Sequence, residues 1–121
     1  MKATGLHHVS INVKDVPEGI KFYTEVLGLV QRPDRPDFGF GGAWLDAGGQ
    51  QIHLIEATTP PNLGQHLALR VTDMYGAVSD LRGAGVEVTE PVVVAGGYQS
   101  FLHDPAGNMV ELFEPGAVPV S

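Results

Sequence analysis

The feature that most limits what this chain can become is an echo of itself. HVSINVKD, starting at His8, returns as HLALRVTD, starting at His66, and DAGGQQIHLIE (46–56) returns as DPAGNMVELFE (104–114). Both echoes fall at one offset of 58 positions, which also separates His8 from His66 and His53 from Glu111. A fixed-offset repeat means that one structural unit is used twice. Each copy must then fold the same way, and each carries two side chains of metal-ligand type at equivalent places.

In the first copy, residues 8–13 alternate. His8, Ser10 and Asn12 take one face and Val9, Ile11 and Val13 the other, the pattern of a half-buried strand. Asp15 then offers an N-cap, Pro17 sits where a first turn tolerates it, and Glu18 holds the capping-box position. The stripe Val16, Ile20, Tyr23 and Leu27 predicts a helix ending at Gly28. A short strand is expected at 29–31 and a glycine- and proline-bearing loop at 32–42, in which Phe38 and Phe40 are candidates to cover a ligand. Residues 43–46 and 51–56 should pair as a hairpin through Ala47-Gly48-Gly49-Gln50.

The second copy repeats this order. His66, Ala68 and Arg70 share a strand face, and Asp73 caps a helix with the stripe Met74, Ala77, Val78 and Leu81, closed by Gly83 and Gly85. A strand is expected at 86–88, a loop at 91–97, a hairpin of 98–103 with 109–113, and a frayed tail from Pro115. The expectation is an α+β fold of two tandem βαβββ units forming a curled sheet around a cleft. It is one domain over residues 1–121, with units at 4–57 and 64–115, a linker at 58–63 and a tail at 116–121.

Composition removes several classes of function. The chain has no cysteine, which excludes disulfides, thiolate metal sites and a Cys nucleophile. Its net charge is −7 and it holds no Lys/Arg cluster, which argues against nucleic acid as a partner. No apolar run approaches the roughly 20 residues of a membrane span, and no basic-then-apolar leader opens the chain. A cytoplasmic protein without membrane association is expected.

Three imidazoles and one carboxylate (His8, His53, His66 and Glu111) make a nitrogen/oxygen donor set suited to a divalent ion such as Zn, Ni, Co, Mn or Fe(II). A +2 ion with one carboxylate keeps net positive charge, which would stabilise an enediolate or another developing oxyanion.

With these residues in view, the chain resembles the vicinal oxygen chelate superfamily. That group includes glyoxalase I, methylmalonyl-CoA epimerase, extradiol dioxygenases, fosfomycin-modifying thiol transferases and bleomycin-binding antibiotic-resistance proteins. The stretches that carry the likeness are LHHVSINVKD, GIKFYTEVLGL, QIHLIE, QHLALRVTD and FLHDPAGNMVELFEP, together spanning Leu6 to Pro115. The resemblance implies a metal-binding cleft, a homodimer and a small-molecule substrate. It places the family's ligands on His8, His53, His66 and Glu111, where glyoxalases often have Glu, and epimerases Gln, in place of His53. Glu111 is then the only ligand able to act as a base. The hairpin parity puts Gln99, Phe101 and His103 in the cleft, His103 as a proton carrier or substrate contact. Arg70 and Phe38 are further substrate candidates, and His7 falls outside by strand parity.

The activity so implied is glyoxalase-I-like lyase/isomerase chemistry through a metal-stabilised enediolate, with a thiol cofactor such as glutathione. The alternatives are an Fe(II) extradiol-type dioxygenase or thiol transferase, and a non-catalytic antibiotic-binding protein. Residues 89–101 hold no Lys or Arg, which argues against a phosphonate substrate.

Overall fold

A computed structural model describes residues 1–116. The chain divides into two compact units, Met1–Pro61 and Asn62–Ser121. The first runs β1 (His8–Val13), α1 (Val16–Lys21), a single π turn (Phe22–Val26), β2 (Val30–Gln31), β3 (Gly42–Ala47) and β4 (Gln50–Glu56). The second runs β5 (Leu67–Arg70), α2 (Met74–Gly83), β6 (Val92–Val94), β7 (Gly97–His103) and β8 (Met109–Pro115). Each unit holds one four-stranded sheet, ordered β1-β4-β3-β2 and β5-β8-β7-β6. In both, the first strand lies parallel to the last and the remaining pairs are antiparallel. The two βαβββ units of the α+β expectation are therefore present.

Register explains the two faces of the first sheet. Ser10 and Trp44 both pair with His53, so these three share a face, and His8, Asp46 and Gln51 lie in the next row of it. The other face carries Val13, Ala43, Leu45, Ile52 and Leu54, all buried, against Val16, Phe22 and Tyr23 of the helical segment. Burying each large side chain of this kind stabilises by about 1.5–3 kcal/mol. Asp15 accepts a hydrogen bond from the Glu18 amide at 3.0 Å and starts the helix. Gly48, with φ of +64°, opens the tight turn between β3 and β4.

The helix differs from its expected stripe. Gly19 is buried in place of Ile20, because a Cβ there would come 3.2 Å from Leu54 Cδ1, so glycine lets the helix close onto the sheet. The π turn then adds a residue: the Leu27 amide donates to the Phe22 carbonyl at 3.1 Å, and Leu27 rotates to a half-buried position.

In the second unit Met74, Val78 and Leu81 of α2 are buried, as are Leu102, Val110 and Leu112 of the sheet. Asp73 caps α2 by accepting from the Gly76 amide at 3.0 Å. Residues 86–88 do not form the expected strand: Val88 makes one isolated bridge to Leu102, and the edge strand is β6, inside the expected loop. On one side of that bridge the Val86 amide donates back to the Leu81 carbonyl at 2.9 Å, and on the other the Thr89 hydroxyl accepts from the Phe101 amide at 2.9 Å in place of a carbonyl, so pairing does not extend from Val88. Pro115 closes β8 and does not begin a frayed tail, while residues 117–121 lie outside the described residues.

Candidate functional site

The second unit brings two of its candidate ligands together. Ala68, Glu111 and Phe101 form one row across β5, β8 and β7. His66, just before β5, reaches the same face and places Nε2 3.0 Å from Glu111 Oε1. Its Nδ1 lies 2.9 Å from the Gly64 carbonyl oxygen, to which it can only donate. The Gly64 carbonyl first, and then the Glu111 carboxylate, hold the His66 imidazole above its ordinary pKa. Both nitrogens thus face oxygens, an arrangement that needs a positive centre at Nε2, either a proton or an ion. Two ligands bound at about 2.1 Å and at right angles on one ion stand about 3 Å apart, so this pair fits a divalent ion directly. The bond from Nδ1 to a carbonyl is the outer partner that orients a ligating imidazole.

The remaining candidates of this unit are spread along the same face. The Phe101 ring meets His66 edge-on, with centroids 5.5 Å apart. Arg70 and Gln99 flank Phe113 one row away, on the side where β5 ends. His103 opposes Met109 in the row on the other side and is exposed. His103 and Phe101 also border an open groove of about 690 Å³ whose lining includes Arg82, Glu87, Val88 and Thr89.

The first unit arranges its pair differently. His8 and His53 lie face to face, ring centroids 4.0 Å apart and planes 13° apart. Trp44 covers the other face of His53 at 4.5 Å, again 13° from parallel. His53 Nε2 is 2.8 Å from Gln51 Oε1, and His8 Nδ1 is 2.9 Å from His7 Nδ1. Burial pushes the His53 pKa down, and the neighbouring His8, His7, Arg32 and Arg35 push the same way. Among the described residues no three His, Asp or Glu side chains form a ready ligand cage; each unit offers two.

Phe38 extends the ring series, tilted against Trp44 at 6.1 Å and stacked on Phe40 at 5.7 Å. The Arg35 guanidinium carbon lies 5.2 Å and 5.5 Å from the two phenyl centroids. Both phenylalanines are 50% exposed, so this aromatic surface faces solvent.

Three contact residues were not among the sequence candidates. Trp44 opposes His53 once the hairpin register is known, and Gln51 is its same-face neighbour two residues back. His7 precedes β1, so strand parity does not govern it, and it reaches His8 from the preceding turn.

Comparison with known proteins follows this geometry. Residues 5–112 match the family model described as "Glyoxalase/Bleomycin resistance protein/Dioxygenase superfamily". The chain is 33% identical to "Glyoxylase I 4" of Arabidopsis thaliana over 97% of its own length and 74% of the relative's. It is 32% identical to the "Probable lactoylglutathione lyase" of Vibrio cholerae serotype O1, covering 88% of each. Among solved structures, the antibiotic-binding protein TnmS3 from a Streptomyces species superposes with a TM-score of 0.82 at 26% identity, over 96% of this chain and 99% of that one. With the family model spanning both βαβββ units, the chain belongs to the Glyoxalase/Bleomycin resistance protein/Dioxygenase superfamily.

Proposed function

We propose that this protein is a metal-dependent lyase/isomerase of the glyoxalase I kind, acting on the adduct of a small α-oxoaldehyde with a thiol such as glutathione. The observation that carries the reading is the His66–Glu111 pair, 3.0 Å apart, with the second His66 nitrogen anchored on Gly64. The relatives named as glyoxalase and lactoylglutathione lyase point the same way.

His8, His53, His66 and Glu111 would hold the ion, in a homodimer of cytoplasmic location. When bound, a divalent ion supplies positive charge for the oxygens of the adduct and for the oxyanion that forms beside them. Glu111 takes the proton from one carbon and returns it to the next, and it is the only carboxylate in the ligand set. Phe101, at the edge of His66, shields this proton from water. Arg70 and Gln99 bind a carboxylate or amide of the thiol, His103 contacts the substrate or carries a proton at the opposite end of the row, and Phe38 covers the aldehyde substituent.

The test is elemental analysis of protein purified without chelator, followed by turnover of a hemithioacetal. Bound Ni, Co or Zn with turnover is expected. Absence of metal both as purified and after titration would overturn the reading. Fe(II) with O₂-dependent catechol cleavage would establish the dioxygenase alternative in its place.

A second reading is a binding protein that sequesters a flat compound without turnover. Its support is the half-exposed Phe38 and Phe40, with Arg35 over both rings. Tight binding of an aromatic antibiotic by metal-free protein would favour it.

A further inference from the structure

The two units differ in how near they are to binding an ion, and the difference lies in the first. A ring nitrogen binds an ion close to the plane of its own ring, at about 2.0–2.1 Å. The His8 and His53 rings have centroids 4.0 Å apart and planes only 13° from parallel. Two planes so stacked do not meet within about 2.1 Å of a nitrogen on each, so the two rings as placed cannot share one ion.

His53 is also engaged at its outer nitrogen. Gln51 Oε1 stands 2.8 Å from His53 Nε2. If the amide oxygen faces the ring, it accepts the Nε2 proton. If the amide is turned over, its NH₂ donates to the Nε2 lone pair. In both orientations the distal nitrogen is taken. The ring itself has little freedom, since it is buried and held between Trp44 and His8. His8 has the room to turn: it is exposed, opens β1, and keeps Nε2 clear of the contact that Nδ1 makes with His7.

We infer that Gln51 competes with the metal for Nε2 of His53, so that Gln51 is a positioning residue that sets metal affinity, and that uptake requires Gln51 to let go and His8 to turn off the His53 ring. The inference rests on the metal reading above. Its physical content is one hydrogen bond surrendered on binding. Removing that bond should tighten metal binding by about two- to tenfold, the range spanned by one net hydrogen bond.

The experiment is calorimetric titration of Zn(II) into chelator-stripped protein. It compares the native chain with Gln51→Met, which keeps the length without the hydrogen bond, and with Gln51→Ala as a second variant should the first unfold. Long-range ¹⁵N–¹H correlation of the histidine rings is recorded on the same metal-free samples. Tighter binding by the variants is expected, together with a changed Nε2 signal for His53 and an unchanged one for His66. Equal or weaker binding by variants that remain folded would overturn the competition while leaving the metal reading intact. No uptake by any of the proteins would overturn the metal reading and the competition with it.

Discussion

Glu111 Oε1 on β8 and His66 Nε2, from the residue just before β5, stand 3.0 Å apart, which brings together the two candidate ligands of the second unit. The carboxylate is 12% exposed and the imidazole 31%, so the pair lies at the edge of solvent, where a substrate can reach it. Replacing Glu111 by Gln keeps the shape and a hydrogen-bond acceptor but removes the charge. Hemithioacetal turnover should fall by about 10²–10⁴-fold, the usual contribution of a positioned base, while the thermal midpoint moves little. Full turnover in the variant would take Glu111 out of the chemistry.

The histidines of the two units should titrate on opposite sides of the ordinary value of 6.5 in metal-free protein, His66 above it and His53 below. For His66 the folded pKa is raised, so its contribution to stability is full below pH 6.5 and is lost as pH rises through the folded value. For His53 the folded pKa is lowered, so a cost absent above pH 6.5 develops as pH falls toward the folded value. Ring-proton NMR titration resolves the two directly. Replacing His53 by Gln should remove the acid-side loss of stability without altering the loss above pH 6.5.

Leu54 is 1% exposed on β4, and its Cδ1 meets the helix at Gly19. Leu54→Ala should cost about 2–5 kcal/mol, because the helix already touches the strand there and cannot collapse further into the space. Urea unfolding measures this.

Asp104 is 4% exposed and accepts from the Ala106 amide at 2.9 Å, the Asn108 amide at 2.8 Å and the Asn108 side-chain amide at 2.9 Å. Asp104→Ala leaves these donors without that acceptor and should destabilise by about 1–3 kcal/mol or more. Faster hydrogen exchange at Ala106 and Asn108 would locate the loss in the turn between β7 and β8, the hairpin that carries Phe101 and Glu111.

Much of the fold was legible because its causes are local or periodic. The alternation from His8 to Val13 and the caps at Asp15 and Asp73 each state a geometry in a few consecutive residues. The misplaced edge strand was not legible, because Val86-Glu87-Val88 alternates as well as any strand, and its limits are set by the bond of the Val86 amide to Leu81 and by the Thr89 hydroxyl beside Phe101. Nor was the helix stripe, since Gly19 counts as a weak residue until Leu54 is known to press against it. At the site, the repeat singled out the four candidate donors, and strand parity gave the faces of His8, His53 and Glu111, while His66 lies just before β5. Side-chain rotation is set by neighbours the sequence does not order, so the stacking of His8 on His53 and the bond to Gln51 needed coordinates.

The chain has one tryptophan, and that indole lies flat on His53. Its fluorescence therefore comes from one indole, stacked on His53 and tilted against Phe38. Indole emission responds to the charge and orientation of whatever it stacks on, so protonating His53, drawing its electrons toward a cation or lifting His8 away should each alter intensity or wavelength. The protein carries its own optical probe for the events argued above, and no label need be attached to follow them in real time.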